Sequence, residues 1–396
     1  MIPVDDALAR VTGAASLLGA ETVALADALG RVLAAPVHSA HPLPPFDQSA
    51  VDGYAVRYAD IASVPVTLPV KGVVAARGYA DRPWLDLGTM MRIFTGGVVP
   101  DGADTIVRQE ATEPGGDERT TVTQPIALGT DLRRTGEELA HGALIAEAGS
   151  VVTPGLVGAL ALAGAEKVSV RAMPRVTVFV TGDEVVPLGD PLQLGQVPDT
   201  NGPLMVAHLR SWGVLPVEVA HVADTPADVG AALERAFASS DLVLTSGGVS
   251  VGDYDFIPRV AESLGAEVLL WKVAQRPGMP LFVARRGSCL LMGLPGNPGA
   301  VFVNLHVYVR AVLDAMAGLD SRTRWRRAAM PKGVRREPGK TFWLRGLVRY
   351  GDDGVARIEQ LGHQASHMLS NLAAATALVR MPPEGQDADI VEWLPL

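Results

Sequence analysis

The chain has 396 residues, of which 48% are hydrophobic and 19% charged, and a net charge of −9. The length accommodates two to four domains of ~150 residues, and the composition excludes a disordered polypeptide. The negative balance argues against general nucleic-acid binding and leaves anion recognition to local basic sites.

Cys289 is the single cysteine, which excludes an intramolecular disulfide framework and a cysteine-rich zinc site. Residues 1–6 lack the basic and apolar regions of a signal peptide. The apolar run 155–165 is too short for the ~20 residues of a membrane span. A cytoplasmic protein with no membrane partner is the expectation.

Residues 1–35 carry apolar positions at helical spacing (Val4, Ala7, Leu8, Val11, Leu17, Leu18), until the proline-rich stretch 41–45 stops the pattern. Residues 46–138 alternate short β-type runs with Gly, Pro and Asp turns and read as a β-rich insert. Residues 139–172 return to helix-like sequence, so 1–45 and 139–172 are expected to form one discontinuous domain. Residues 173–320 alternate strands with helices, which argues for an open parallel sheet with helices on both faces. Asn201 is a candidate cap for a helix over 202–213. Thr225-Pro226-Ala227-Asp228 is a helix start with a capping threonine and proline in the first turn. Residues 321–396 lose the alternation and read as a small β-barrel or sandwich.

The strongest local signal is the run 245–255, TSGGVSVGDYD. It follows a predicted strand and precedes a helix, where ligands of open α/β sheets bind. Its glycines let backbone N–H groups converge on an anion, and Asp253 and Asp255 are suited to a hard cation such as Mg²⁺. Thr181-Gly182-Asp183-Glu184 adds two carboxylates at another strand end. The run 293–298, GLPGNP, is a third strand-to-helix turn, rigidified by Pro295 and Pro298. Lys272 and Arg276 follow a further strand and can neutralise an oxyanion. Residues 321–346 hold nine Lys or Arg and one acid, Glu337, which suits the wall of an anionic cleft. His363 and His367 lack a third metal ligand nearby, and Cys289 lies in an apolar run that favours core packing.

Eight segments in this order resemble the MoeA/gephyrin E-domain family of molybdopterin molybdenumtransferases: 42–57 (PLPPFDQSAVDGYAVR), 93–97, 100–110, 133–138, 181–184, 246–255, 271–280 (WKVAQRPGMP) and 293–298. The resemblance spans nearly the whole chain. It implies a multidomain α/β protein: a linker-like domain (1–45 and 139–172), an inserted β-rich lid (46–138), a MoaB/MogA-like molybdopterin-binding α/β domain (173–320) and a C-terminal β-barrel (321–396). It implies a homodimer whose cleft is completed by the partner's N-terminal region. The implied reaction inserts molybdate into adenylylated molybdopterin with Mg²⁺-dependent release of AMP. A MogA-like adenylyltransferase and acceptor molybdoenzymes are the implied partners.

Carried onto this sequence, the resemblance gives Glu184 and Asp255 to metal and cofactor handling, with Asp224 a further acid. It gives Ser246, Gly247, Gly248, Ser250 and Gly252 to the pterin phosphates. Lys272, Arg276 and Arg345 become candidate oxyanion clamps, Pro295 and Pro298 shape the cleft, and Ser366 is a hydroxyl donor. Asp52 and Thr95 match polar positions of the N-terminal region. Three departures stand out. The common Lys-Pro-Gly-Lys-Pro run is Arg276-Pro277-Gly278-Met279-Pro280, Asn-Pro-Val-Ser is Asn297-Pro298-Gly299-Ala300, and an expected aspartate is Glu138. A pyrophosphatase resembling the CinA family and a non-enzymatic molybdopterin-binding scaffold are the competing readings.

Overall fold

A computed structural model describes residues 1–215, 217–249, 256–334, 336–386 and 388–396. The chain divides into two compact units, one made of 1–21 and 171–396 and the other of 22–170.

The first unit begins with helix α1 (Val4–Ala14), whose Asp5 and Asp6 favour the positive end of the helix dipole. Its central sheet contains β1 (Val176–Thr181), then β2 (Val217–Val222) and β3 (Leu242–Ser246). The remaining strands are β4 (Glu267–Trp271), β5 (Phe282–Arg286) and β6 (Cys289–Leu294), in the spatial order β2-β1-β3-β6-β5-β4. The first four are parallel, whereas β5 and β4 run antiparallel at one edge. This corrects the all-parallel expectation. Only Gly287 and Ser288 join β5 to β6, and so short a link allows only an antiparallel return.

Every residue of β1, β3 and β6 is buried, as expected of central strands covered on both faces. Helix α2 (Asn201–Ser211) and helix α3 (Pro226–Ser239) follow β1 and β2. Thr225 caps α3 as predicted, its Oγ1 accepting the Asp228 N–H at 3.1 Å. Asn201 is not the cap of α2. Asp199 takes that role, accepting the Gly202 N–H at 2.8 Å, which frees the Asn201 side chain.

The last helix runs from Pro298 to Met316 with a π-helical segment at Leu305–Val309. By length and composition it could cross a membrane, yet 89% of its most apolar stretch is buried inside the protein. It is a core helix, longer than the apolar run picked out from sequence. It packs in one cluster with Val4, Ala7 and Val11 of α1, the sheet, and Trp343, Leu378 and Leu394.

Beyond it, strands Arg326–Ala329, Thr341–Tyr350, Ala356–Gln360, Ala377–Met381 and Ile390–Pro395 pair in a closed ring, a five-stranded barrel.

Two expectations about the N-terminal region change. Helix α1 stops at Ala14, and residues 20–24 are a strand, so 1–35 is not one helix. The apolar face of α1 groups residues 1–21 with the sheet, not with 139–172.

The second unit holds a six-stranded sheet over residues 53–122, as the turn-rich sequence predicts. Its α-helical share is one short helix, Pro154–Leu162, capped by Thr153.

Candidate active site

The carboxyl ends of the parallel strands are level: Val180 pairs with Ser246, Ser246 with Leu294, and Thr181 with Val222. Three sequence-predicted turns therefore converge. Gly247 and Gly248 have φ of +96° and +68°, a region that glycine alone enters freely. The Gly247 N–H donates to Leu294 O at 3.0 Å, and Thr181 Oγ1 donates to Ser246 O at 3.2 Å. Asn201, freed from capping, ties two of the turns together: its Nδ2 donates to Ser246 Oγ at 2.6 Å and to Gly296 O at 2.8 Å. Its buried Oδ1 has no partner among the described residues, as expected where a ligand donor or water completes the set.

Glu184 is exposed after β1. Its neighbour Asp183 accepts the Asp224 N–H at 3.5 Å, which brings Asp224 to the same end of the sheet. Ser250, Gly252, Asp253 and Asp255 lie outside the described residues.

Next to the strand ends is a cavity of about 760 Å³, lined among others by Arg276, Pro295, Asn297, Glu337, Lys340 and Ser366. The loop 295–298 is shared: Gly296 meets Asn201, while Pro295 and Asn297 face the cavity. A buried polar network fixes the opposite wall. Gln275 Nε2 donates to Gly278 O and Asn304 Oδ1, both at 2.9 Å. Gln275 Oε1 accepts from Tyr308 Oη at 2.7 Å and from Trp343 Nε1 at 2.9 Å. Gly278 has φ +89°, and a Cβ there would meet Asn304 Nδ2 at 2.9 Å. The network joins the 275–280 turn, the long helix and the barrel, and so aims Arg276. Its guanidinium pairs with Glu337, whose other oxygen is 3.5 Å from Lys340 Nζ. Partial desolvation works the other way, but Arg276 and Lys340 hold the Glu337 carboxyl below its ordinary value.

The other candidate cations are placed differently. Lys272 has φ +72°, and its Nζ lies 5.4 Å from the Trp271 ring centre. Trp271 Nε1 donates to Val249 O at 3.1 Å, so Lys272 flanks the glycine turn and not the cavity. Arg345 is 1% exposed. Its guanidinium donates to the carbonyls of His363 (2.8 Å), Ala365 (3.1 Å) and Met368. It secures the 362–368 loop, whose Ser366 O accepts the Gly299 N–H at 2.7 Å near the start of the long helix. Burial pushes the Cys289 thiol up to about 12, which makes it an inert core group. Among the described residues no three His, Cys, Asp or Glu gather as metal ligands, and His363 and His367 are no exception.

The second unit has its own polar cluster. Asp52 accepts from Thr95 N and Thr95 Oγ1, both at 2.8 Å. Asp47 accepts from Arg134 Nη1 (2.8 Å), Thr135 N (2.8 Å) and Thr135 Oγ1 (2.9 Å). The motifs at 46–55, 93–97 and 133–138 thus meet. Arg92 sits 5.1 Å from the Tyr54 ring centre and 5.0 Å from that of Phe94, a cation–π sandwich beside Asp52.

Family models cover most of the chain: the MoeA N-terminal region (domains I and II) matches residues 2–164, a probable molybdopterin binding domain 177–315, and the MoeA C-terminal region (domain IV) 327–396. The molybdopterin molybdenumtransferase of Bacillus subtilis is 33% identical over 391 residues, covering 96% of this chain and 90% of that one. The chain belongs to the MoeA family. Molybdopterin molybdenumtransferase 2 of Mycobacterium tuberculosis is 37% identical over 373 residues, covering 92% and 91%. The MoeA crystal structure from Pyrococcus horikosii superposes with a TM-score of 0.82 at 27% identity, covering 100% of this chain and 99% of that one. The MoeA architecture is an α/β multidomain one, with an open-sheet body, a discontinuous N-terminal region bearing a β-rich lid, and a C-terminal barrel.

Sequence reasoning missed Asn201, Asp199, Gln275 and Asn304 as site-builders. The strand-end position of Asn201 was a usable signal; the burial of Gln275 and Asn304 has none in sequence.

Proposed function

We propose that this MoeA-family chain is a molybdopterin molybdenumtransferase, which inserts molybdate into adenylylated molybdopterin and releases AMP. The observation that carries the reading is the shared 295–298 loop, which puts a donor-lined set of strand ends beside a cavity walled by Arg276 and Lys340. One side suits a pterin phosphate joined to a nucleotide, the other a tetrahedral dianion. In the reaction water cleaves the phosphoanhydride P–O bond and AMP leaves, and the two dithiolene thiols bind molybdenum as one molybdate oxygen departs with their two protons as water.

Each candidate then has a task. Ser246 and Gly248, continued by Ser250 and Gly252, hold the phosphates through hydroxyl and N–H donors, while Gly247, whose N–H is taken by Leu294 O, turns the backbone beside them. Lys272 adds charge beside them. Arg276 grips the oxyanion, and Pro295 and Pro298 keep the loop stiff. Ser366 offers its hydroxyl to the cavity, while Arg345 acts by holding the Ser366 loop. Glu184 and Asp255 are the proposed Mg²⁺ ligands, with Asp224 nearby. Asp183 and Glu184 offer the hard oxygens that ion prefers, and phosphates and water would complete its shell. When bound, Mg²⁺ supplies charge screening at the anhydride.

The reading carries further parts. We propose a four-part domain division at 45, 138, 172 and 320, with residues 1–21 belonging to the α/β part, and a cytoplasmic homodimer in which Asp52 and Thr95 of one copy serve the cleft of the other. It implies an adenylyltransferase upstream and molybdoenzymes as recipients.

The test is AMP release from adenylylated molybdopterin with Mg²⁺, with and without molybdate. Molybdate-stimulated release is expected, and its loss in Asp255→Ala or Glu184→Gln. Release indifferent to molybdate would favour the pyrophosphatase reading. Tight binding without release would favour the scaffold.

A further inference from the structure

The single acid among the nine cations of residues 321–346 is Glu337, and it lies in the cavity wall. One of its carboxylate oxygens meets Arg276 Nη1 and the other is 3.5 Å from Lys340 Nζ. A bound oxyanion would take the same two-oxygen, two-cation arrangement. Two features of this chain make the arrangement matter. Met279 and Ala300 also line the cavity and bring neither charge nor hydroxyl. Lys340, from the barrel side, therefore provides the second cation that the 276–280 run lacks.

We propose that Glu337 is a specificity-determining residue for the oxyanion step: its carboxylate is a resident monoanion on Arg276 and Lys340 that only a dianion displaces. The inference rests on the transferase reading above and adds to it the basis of anion choice. A tethered carboxylate competes at an effective concentration of order millimolar. A free monoanion of equal charge gains nothing by replacing it, whereas molybdate brings twice the charge to the same pair. The pair is accessible enough for exchange, because the Arg276 side chain is 62% exposed and that of Glu337 27%.

The experiment is calorimetric titration of the full-length protein, without pterin, using molybdate and perrhenate, tetrahedral oxyanions of charge two and one. Wild type is expected to bind molybdate and to reject perrhenate. Glu337→Gln, which keeps an acceptor for Arg276 and removes the charge, is expected to bind molybdate about fivefold or more tightly and to admit perrhenate. Lys340→Met is expected to weaken molybdate binding. Weaker molybdate binding in Glu337→Gln, or unchanged discrimination, overturns the proposal and leaves Glu337 as a support for Arg276. Should that variant not fold by circular dichroism, Glu337→Asp reads the same effect through a shorter resident: tighter molybdate binding supports the proposal, and unchanged or weaker binding overturns it. A wild type that binds neither ion overturns it too, while the AMP-release assay still decides the transferase reading independently.

Discussion

The two polar clusters of this molecule are built in opposite ways. In the first unit, Gln275, Asn304, Tyr308 and Trp343 are almost fully buried, and Gln275 uses both ends of its amide within the protein. In the second unit, Asp52 and Thr95 stand near solvent and are joined by two exposed hydrogen bonds of 2.8 Å. The buried cluster acts on chemistry by fixing a wall, since low dielectric makes each unmet bond costly. The exposed cluster has little to hold up, so its groups are free to meet a ligand. Stability should therefore respond to the first cluster and turnover to the second.

The largest expected effect comes from breaking the buried side. Gln275→Leu leaves Tyr308 Oη and Trp343 Nε1 without their acceptor and Asn304 Oδ1 without a donor. Each stranded group costs ~1–3 kcal/mol, so a loss of about 3 kcal/mol or more is expected. Urea unfolding followed by fluorescence checks it: the transition of the first unit should move to lower urea, while that of the second stays. A single shift shared by both would merge the two clusters into one cooperative block and undo the contrast.

On the exposed side, Asp52→Asn should lower molybdate-stimulated AMP release by about a hundredfold, the low end of what a positioned acid or base contributes, with no change in unfolding. Asn keeps the acceptor for Thr95 and removes only the charge. The Thr95 N–H and hydroxyl hold the Asp52 carboxyl below its ordinary value of 3.8. A depressed carboxyl contributes stability above its unfolded value and loses it only in stronger acid, so Asp52 stays charged at neutral pH. Full activity in Asp52→Asn would remove it from the site.

What the sequence made legible follows from how local each signal is. The glycine turns at 246–248 and 293–298 are contiguous, sit after apolar runs, and land where such turns land in open sheets. The β-rich insert announces itself through its turns. Arg345 shows a limit, because a lone arginine in a strand looks the same whether its donors meet an anion or, as here, three carbonyls. Gln275 and Trp343 are 68 positions apart, and no spacing rule links them. Asn201 resembled a cap because it stands at a helix start, but Asp199, two positions earlier, does the capping. The apolar spacing read over 1–35 rests on positions that end at Leu18, of which α1 takes those up to Val11, and nothing in it marks the strand at 20–24.

The smallest expected effect sharpens the contrast from the buried side. His306 lies in the π-helical segment, 5% exposed, packed against His208, Trp212 and Phe302, and its Nε2 has no partner among the described residues. Burial, then His208, Arg324 and Arg310, depress its pKa well below 6.5, and burial lowers that of His208 too. Below pH 6.5 the unfolded chain binds protons that these folded imidazoles refuse, so stability falls as pH drops through that window. Each such imidazole adds at most ~1.4 kcal/mol per pH unit. The urea midpoint of the first unit should therefore decline from pH 7 to pH 5.5, and His306→Phe should flatten the decline. The second unit's midpoint should hold over the same range, because Asp52 completes its titration in stronger acid. A first unit that is equally stable at both pH values would mean that the aromatic cluster accepts the charge. The buried side would then be less rigid than its hydrogen bonds imply.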